Sequence, residues 1–266
     1  MISLVKQLFV SFFKILDSFF NDDTTYYAAS LSFFTIFSLL PILALLIAII
    51  TYLDVTAEYL DVFLNYIVDI LNPTSSEQFR EFIISFLSNS NKLGSLGILY
   101  MLFVFGMFFK DYEYIVNMIH GSKRRSFMKA TLLYVASLFI LPTLIIIFFI
   151  GLSYVGDDSV AVKILSFFFA WFLMFVFFKV SASYKLNLGA VTISSFATTI
   201  VLSITKNLFV YYVIYNKTYT TIYGSLSTLL FFFFWIYISW LIYLYGVKFC
   251  SELHRQFAIP KKTESD

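Results

Sequence analysis

The C-terminal part of the chain contains the stretch that decides the fold, residues 218–247, which read TYTTIYGSLSTLLFFFFWIYISWLIYLYGV. This run has no charged residue, and a helix of roughly 20 apolar residues already crosses the hydrocarbon core of a membrane. The whole chain shares this character, because 60% of its 266 residues are hydrophobic and only 13% are charged. These proportions exclude an ordinary soluble globular domain and indicate an integral membrane protein.

Five further apolar segments precede this stretch, and together they predict an all-α integral membrane protein. We expect one membrane domain over residues 1–266 with about six transmembrane helices, at 24–53, 93–117, 130–156, 160–183, 187–213 and 224–250. The span at 160–183 is bracketed by Lys163 and Lys179. Two such lysines can extend to opposite membrane interfaces, so they are compatible with a membrane-spanning helix.

Two segments have amphipathic patterns and are not predicted to cross the membrane. Residues 1–20 have apolar side chains at helical spacing, interrupted by Lys6 and Lys14, which favours an interfacial helix; a helix packed against the bundle is the alternative. Residues 54–92 contain two such patterns, divided by Pro73, and predict an external helical hairpin. This hairpin either covers the ends of the spans or acts in gating or partner binding.

The distribution of basic residues predicts the orientation of the chain. With both termini in the cytoplasm, 13 of the 18 lysine and arginine residues lie inside and the other five lie outside. Cytoplasmic loops of membrane proteins carry such an excess of positive charge. We therefore expect an even number of spans with cytoplasmic N- and C-termini.

Four segments show that the chain resembles the YihY/BrkB family of bacterial inner-membrane proteins. They are AASLSFFTIFSLLPIL at 28–43, LGSLGILYMLFVFGMFF at 93–109, NLGAVTISSFATTIVLSITKNLFVYYV at 187–213 and TIYGSLSTLLFFFFWIYISWLIYLYGVKFCSE at 221–252. The resemblance implies a six-helix fold in the bacterial inner membrane. It does not imply a settled activity, since some members have been labelled ribonucleases and others linked to serum resistance or envelope-lipid transport.

The residues needed for hydrolysis are not found in the sequence. Metal-dependent phosphodiester cleavage requires clustered His and carboxylate ligands, whereas this chain has only His120 and His254 and a single cysteine, Cys250. Asp111 and Glu113 are two residues apart and point to different sides of a helix. We therefore expect no enzymatic activity, no metal and no cofactor. The net charge of +2 also gives no basis for nucleic-acid binding.

Polar residues within the fifth span form the first candidate functional site. They recur every three or four residues and so share one helical face: Thr192, Ser195, Thr199, Ser203 and Lys206. One hypothesis is that this face lines a path for a polar solute, with Lys206 holding an anionic group. The alternative is that the small side chains allow close helix packing while Lys206 extends towards water.

Charged residues near the inner ends of two spans form the second candidate site, an ion-pair group or cytosolic gate made of Lys110, Asp111, Glu113 and Lys179. In addition, Pro41 and Pro142 remove one backbone hydrogen bond each, which predicts kinks in the first and third spans. Such bends suit either a moving transporter or a static bundle.

These features favour a transporter or flippase-like protein for an envelope lipid or another anionic or amphipathic solute. The competing hypothesis is a structural or assembly factor of the cell envelope. Membrane lipids are the expected partners in both cases, and envelope proteins would be further partners of an assembly factor.

Overall fold

The structure is a computed structural model that describes residues 23–52, 81, 85, 94–153, 160–215, 221, 223–224 and 226–258. These residues are almost entirely helical and contain no strand. The six long helices are α1 Thr24–Tyr52, α2 Gly94–Ile119, α3 Phe127–Ser153, α4 Val160–Ser181, α5 Leu188–Tyr215 and α6 Leu226–Ala258. Each overlies one of the predicted spans. The predicted interfacial helix at 1–20 lies outside the described residues, and so does the predicted hairpin at 54–92 apart from residues 81 and 85.

Three of these helices are long and apolar enough to cross a membrane, judged by length and composition over the described residues. They are α4, α5 and α6, the last over Leu226–Phe257. Large apolar side chains also point outwards from the bundle, for example Leu132 with 73% of its surface exposed and Leu208 with 64%. Outward-facing apolar side chains of this size suit lipid as the surrounding solvent.

The core of the bundle is arranged around α6. This helix packs against α5 on one side and α1 on another, while α2 packs on α1 and α4 packs on α5. The indole N–H of Trp240 in α6 donates to the hydroxyl of Thr35 in α1 at 2.8 Å. Side chains from α1, α2, α4, α5 and α6 meet in the buried core at Leu31, Val116, Phe178, Val191 and Leu244.

Gly121 ends α2 and sets the direction of the following loop. Its φ of 64° lies in the left-handed region, which glycine adopts without the steric cost of a Cβ atom. Its N–H donates to the Met118 carbonyl at 3.0 Å, and the N–H of Ser122 donates to the Asn117 carbonyl at 2.9 Å. These two bonds form a Schellman cap. The loop after α2 is thereby directed towards the C-terminal end of α4.

Gly246 allows α5 and α6 to approach each other closely. A Cβ atom at this position would lie 2.1 Å from the Thr198 hydroxyl oxygen and 2.8 Å from the Phe178 ring. A side chain at this position would require Thr198 and Phe178, or the helices that carry them, to shift. The α5–α6 contact therefore depends on a glycine facing a threonine.

The two helices with internal prolines are continuous. α1 runs through Pro41 and α3 runs through Pro142. The kinks at these positions stay predictions.

Candidate functional site

An ion pair between a buried carboxylate and a partly buried arginine lies at the end of the bundle where the α2–α3 loop and the α4–α5 connector meet. Glu113 is only 4% exposed, and its carboxylate accepts a hydrogen bond from the Arg125 guanidinium at 3.1 Å. The backbone N–H of Arg125 donates to the other carboxylate oxygen at 3.2 Å. The Tyr134 hydroxyl from α3 also donates to this carboxylate. One carboxylate thus joins α2, the following loop and α3.

Arg125 also binds the end of α4. Its guanidinium donates to the backbone carbonyls of Val180 at 2.5 Å, Ser181 at 3.1 Å and Ala182. The last carbonyls of a helix lack partners within the helix and carry partial negative charge, so a cation is favourable there. Arg125 therefore connects the α2 carboxylate to the α4 terminus.

Asn117 completes the connection on the side of the α4–α5 connector. Its amide nitrogen donates to the Glu113 carboxylate at 2.9 Å. Its amide oxygen accepts from the Ser122 hydroxyl at 2.8 Å and from the Ser183 backbone N–H at 3.0 Å. We call Glu113, Asn117, Ser122, Arg125, Tyr134 and Ser183 the loop-end network. In the part of the chain that the structure describes, no buried side-chain nitrogen or oxygen lacks a hydrogen-bond partner.

An aromatic layer separates the loop-end network from the rest of the bundle. The hydroxyls of Tyr112 and Tyr243 lie 2.5 Å apart, joining α2 to α6. Trp240 and Phe178 pack against the ring of Tyr243, and the ring of Tyr134 is edge-on to that of Tyr112. The rings of Tyr112, Tyr134, Phe178 and Tyr243 are buried, and a low-dielectric environment of this kind strengthens electrostatic interactions beside it.

Both histidines flank Tyr184, which lies in the α4–α5 connector. The Tyr184 ring is edge-on to His120 at 5.6 Å and to His254 at 5.3 Å between centroids. The ring nitrogen Nδ1 of His120 lies 3.4 Å from the Tyr184 hydroxyl. The pKa of His120 is lowered from 6.5 to about 4, mainly by burial and to a smaller extent by electrostatic repulsion from His254 and Arg255. His120 is therefore neutral at pH 7.

The polar face of α5 has a different arrangement, because each hydroxyl bonds within its own helix. The hydroxyls of Thr199 and Ser203 donate at 2.8 Å to the carbonyls four residues earlier, Ser195 and Thr199. Thr192 donates to the Leu188 carbonyl at 2.8 Å. These bonds use the only hydroxyl hydrogen of each residue. The hydroxyls can therefore accept hydrogen bonds from other groups but have no hydrogen left to donate to them.

Packing against the neighbouring helices covers much of this face. Ser195 is buried and accepts a hydrogen bond at 3.1 Å from the indole N–H of Trp171 in α4. In the adjacent row, Ser194 and Thr198 are buried, and Thr198 lies against Gly246 of α6. Lys206 lies further along α5 and is half-buried.

Comparison with known proteins assigns the family. A family model described as Virulence factor BrkB matches residues 15–266. The chain belongs to this family. The resemblance to BrkB proteins that the four sequence segments indicated is thereby confirmed.

The BrkB-family chain is also similar to curated proteins named UPF0761 membrane protein. That of Haemophilus influenzae (strain 86-028NP) is 28% identical over 237 residues, covering 85% of this chain and 88% of the relative. That of Mannheimia succiniciproducens is 24% identical over 266 residues, with 94% and 90% covered. That of Legionella pneumophila (strain Philadelphia 1) is 26% identical over 254 residues, with 91% of this chain but 62% of the relative covered. No solved structure matches the chain.

The structure separates the four predicted gate residues of the BrkB-family chain. Glu113 binds Arg125 and neither Lys110 nor Lys179, which are both exposed. The Lys179 ammonium lies 6.0 Å from the centre of the Phe175 ring. Asp111 accepts a hydrogen bond from Ser30 of α1 at 3.3 Å, so it faces a different helix from Glu113.

Sequence reasoning missed the partners that hold Glu113. Arg125 lies in the basic run Lys123-Arg124-Arg125, which served only as a topology signal. Tyr134 and Asn117 resemble the many other polar residues near span ends. A spacing signal was nevertheless present: Glu113 and Asn117 are four residues apart and so share one face of α2. Among the described residues, no group of three His, Cys, Asp or Glu side chains could hold a metal ion.

Proposed function

We propose that this BrkB-family chain crosses the bacterial inner membrane six times, with both termini in the cytoplasm. The length of α1–α6 supports six spans, since each helix has at least the roughly 20 residues needed to cross the hydrocarbon core. Exposed cations follow α2 and lie at the start of α3, at the end of α4 and in the α4–α5 connector. This excess of positive charge supports a cytoplasmic loop end.

The proposed activity is translocation of an envelope lipid or another anionic or amphipathic solute, with no enzymatic step and no cofactor. The observation that supports it is the buried Glu113–Arg125 pair, which joins α2, the α2–α3 loop and α4 at one end of an apolar bundle. Charged groups within membrane bundles are costly and mark substrate paths or gates by default. The loop-end network would be the closed state of a cytosolic gate.

Lys206 is the proposed contact for an anionic group in this activity. It is half-buried in an apolar helix, about 27 Å from Leu188 at 1.5 Å per residue. Because the hydroxyls of Thr199 and Ser203 donate to the backbone, the anion would depend on Lys206 for its donor. Bends at Pro41 and Pro142 would let α1 and α3 move during opening.

A specific observation favours the second candidate, a structural or assembly factor of the envelope. The hydroxyls on α5 are satisfied by their own helix, and α5 lies tightly against Gly246 of α6. A face of this kind suits a rigid packed bundle as well as a solute path. In that case envelope proteins would be the functional partners.

The test is a translocation assay with purified protein in liposomes. Fluorescently labelled phosphatidylglycerol or phosphatidylcholine is placed in both leaflets, and dithionite then bleaches the outer leaflet; translocation exposes the inner label. We expect Glu113→Gln to raise the translocation rate roughly tenfold, because it weakens the network that holds the proposed gate closed. A charged hydrogen bond of this kind contributes on the order of 1.5–3 kcal/mol. We expect Lys206→Leu to slow phosphatidylglycerol more than phosphatidylcholine.

Matched controls are available within the chain. Glu252→Gln removes an exposed carboxylate from α6, and Lys163→Leu removes an exposed lysine from α4. Both controls should translocate lipid at the wild-type rate. If the lipid label in liposomes with wild-type protein bleaches no faster than in empty liposomes, lipid translocation is contradicted and the assembly factor is supported. Equal effects of Glu113→Gln and Glu252→Gln would contradict the gate.

A further inference from the structure

The loop-bearing end of the bundle collects exposed cations from separate segments of the chain. We call these residues the basic rim: Lys123 and Arg124 after α2, Lys129 in the first turn of α3, Lys179 in the last turn of α4, Lys185 in the α4–α5 connector and Arg255 in the last turn of α6. All six are exposed.

Hydrogen bonds between the segments hold these cations at the same end. Arg125 binds the terminal carbonyls of α4, and the Ser183 hydroxyl donates to the Lys123 carbonyl at 2.5 Å. The backbone N–H of Asn187 donates to Nδ1 of His254 at 3.1 Å, which connects the start of α5 to the end of α6. The basic rim is therefore a feature of the tertiary structure and not only of the charge count.

The acidic residues at this end do not balance the rim. Glu113 is buried and paired with Arg125, and Asp111 is half-buried and accepts from Ser30. Among the described residues, Asp23 and Glu252 are the exposed acids at this end. Six exposed cations thus face solvent with two exposed acids beside them.

We infer that the basic rim binds the phosphate headgroups of anionic phospholipids in the leaflet that meets this end of the bundle. Clusters of four to eight Lys or Arg residues beside membrane helices bind anionic lipid through their charge. Large exposed apolar side chains stand beside the cations: Met128, 82% exposed, precedes Lys129, and Leu188 and Phe257 lie near Lys185 and Arg255. They give the acyl chains of the same lipids a contact surface. The inference is independent of whether the protein translocates anything.

The chain offers a closely matched pair of variants for the test. Lys129 and Lys163 are both exposed lysines in the first turn of an apolar helix, but α3 begins at the rim and α4 begins at the opposite end. The full-length protein is equilibrated in neutral detergent with equal amounts of phosphatidylglycerol and phosphatidylcholine and then repurified. Retained lipid is quantified by mass spectrometry, and gel filtration and circular dichroism verify the fold of each variant.

We expect the wild type to retain phosphatidylglycerol in preference to phosphatidylcholine. Lys129→Gln should reduce that preference roughly fivefold, the factor expected for one cation near an anionic lipid surface. The Lys123→Gln/Arg124→Gln/Lys129→Gln variant should abolish it, whereas Lys163→Gln should leave it unchanged. Equal retention of the two lipids by the wild type would overturn the inference, and so would an equal loss in Lys163→Gln. Displacement of the lipid by inorganic phosphate at an ionic strength where chloride has no effect would indicate a site for free phosphate and also overturn it.

Discussion

The loop-end network and the polar face of α5 satisfy buried polar side chains in two different ways. Both place polar side chains inside an apolar bundle, where an unpaired group costs free energy. In the loop-end network, side chains bond between segments, so Arg125 binds Glu113 of α2 and the carbonyls of α4. On α5, Thr199 and Ser203 bond to carbonyls of their own helix.

This difference assigns different roles to the two regions. A hydroxyl that donates within its own helix donates nothing to a neighbouring helix, so contacts such as that between Thr198 and Gly246 are held by packing. A side chain that is satisfied by another segment requires that segment to stay in place. Movement at the loop end therefore requires breaking charged hydrogen bonds, whereas movement along α5 requires a change of packing and the loss of the neutral hydrogen bond between Trp171 and Ser195.

The largest effect is expected when Arg125 is removed. Arg125→Met would leave the Glu113 carboxylate buried without its cation, and it would remove the donor from the carbonyls of Val180 and Ser181 in α4 and of Ala182 just after it. Breaking one partner of a buried pair costs about 3–5 kcal/mol. The free energy of unfolding, measured by titrating sodium dodecyl sulfate into detergent-solubilised protein and following helicity, should fall by this amount.

Arg124 provides the control for this variant. It is exposed and lies over the Tyr114 ring at 4.1 Å, so Arg124→Met should cost less than about 1 kcal/mol. The double variant Glu113→Gln/Arg125→Met should recover part of the loss, because no unpaired charge remains. If Arg125→Met costs no more than Arg124→Met, the loop-end network does not hold the segments together.

Acidic pH should weaken the loop end through His120. The unfolded chain protonates this histidine below about pH 6.5, while the folded protein keeps it neutral down to about pH 4. The unfolded state therefore binds more protons in this window, and stability falls as the pH is lowered from 6.5 towards 4. The full shift corresponds to a loss on the order of 3 kcal/mol. Unfolding free energies measured at intervals across this window test the slope.

His120→Gln separates this effect from general acid denaturation. The variant loses the ring contact with Tyr184 at every pH, so its stability is lower throughout. Its slope between pH 4 and 6.5 should nevertheless be shallower than that of the wild type, because position 120 no longer binds a proton. Parallel slopes for the two proteins would show that the pKa of His120 is not the cause.

Much of the fold could be predicted from the sequence, because lipid as a solvent demands long apolar helices. The expected start of the first span at residue 24 coincides with the start of α1 at Thr24. The sixth span was expected to end at 250, and helix α6 continues beyond that position to Ala258. Beyond residue 250 the helix carries Glu252, His254 and Arg255, and a hydrophobic pattern contains no signal for a polar extension of a helix outside hydrocarbon.

The site was predicted less completely, because it depends on contacts between distant segments. Glu113 was among the candidate residues, yet Arg125, which is 12 residues away, was missed. The Gly121 cap turns the loop that carries Arg125, and this change of direction between the two residues is not visible in their spacing. The spacing of Thr192, Ser195, Thr199 and Ser203 identified one face of α5, but spacing could not show that their hydroxyls bond within the helix.

A smaller effect is expected at the contact between α5 and α6. In Gly246→Ala, the new Cβ atom would meet the Thr198 hydroxyl at 2.1 Å and the Phe178 ring at 2.8 Å, so these side chains or their helices must shift. Overpacking of this kind costs about 1–3 kcal/mol. The same unfolding titration measures it. Adding Thr198→Ala removes the hydroxyl and methyl group that clash and should restore part of the loss; no recovery would show that Phe178 or the backbone limits the approach.

The smallest effect is expected for Thr199→Val, and it tests the comparison most directly. Valine keeps the shape of threonine, and the hydroxyl that is lost donates to the Ser195 carbonyl of the same helix. The expected cost is below about 1 kcal/mol. Asn117→Leu is the counterpart in the loop-end network: it also keeps the approximate volume of a buried side chain but removes partners from Glu113 and Ser183.

The Asn117→Leu variant should cost more than Thr199→Val in the unfolding titration, because a buried donor or acceptor left unpaired costs about 1–3 kcal/mol each. Equal costs for the two variants would mean that bonds within a helix and bonds between segments stabilise this bundle alike. The polar face of α5 would then need a role beyond packing, and a normal translocation rate in Thr199→Val would exclude a solute path as that role.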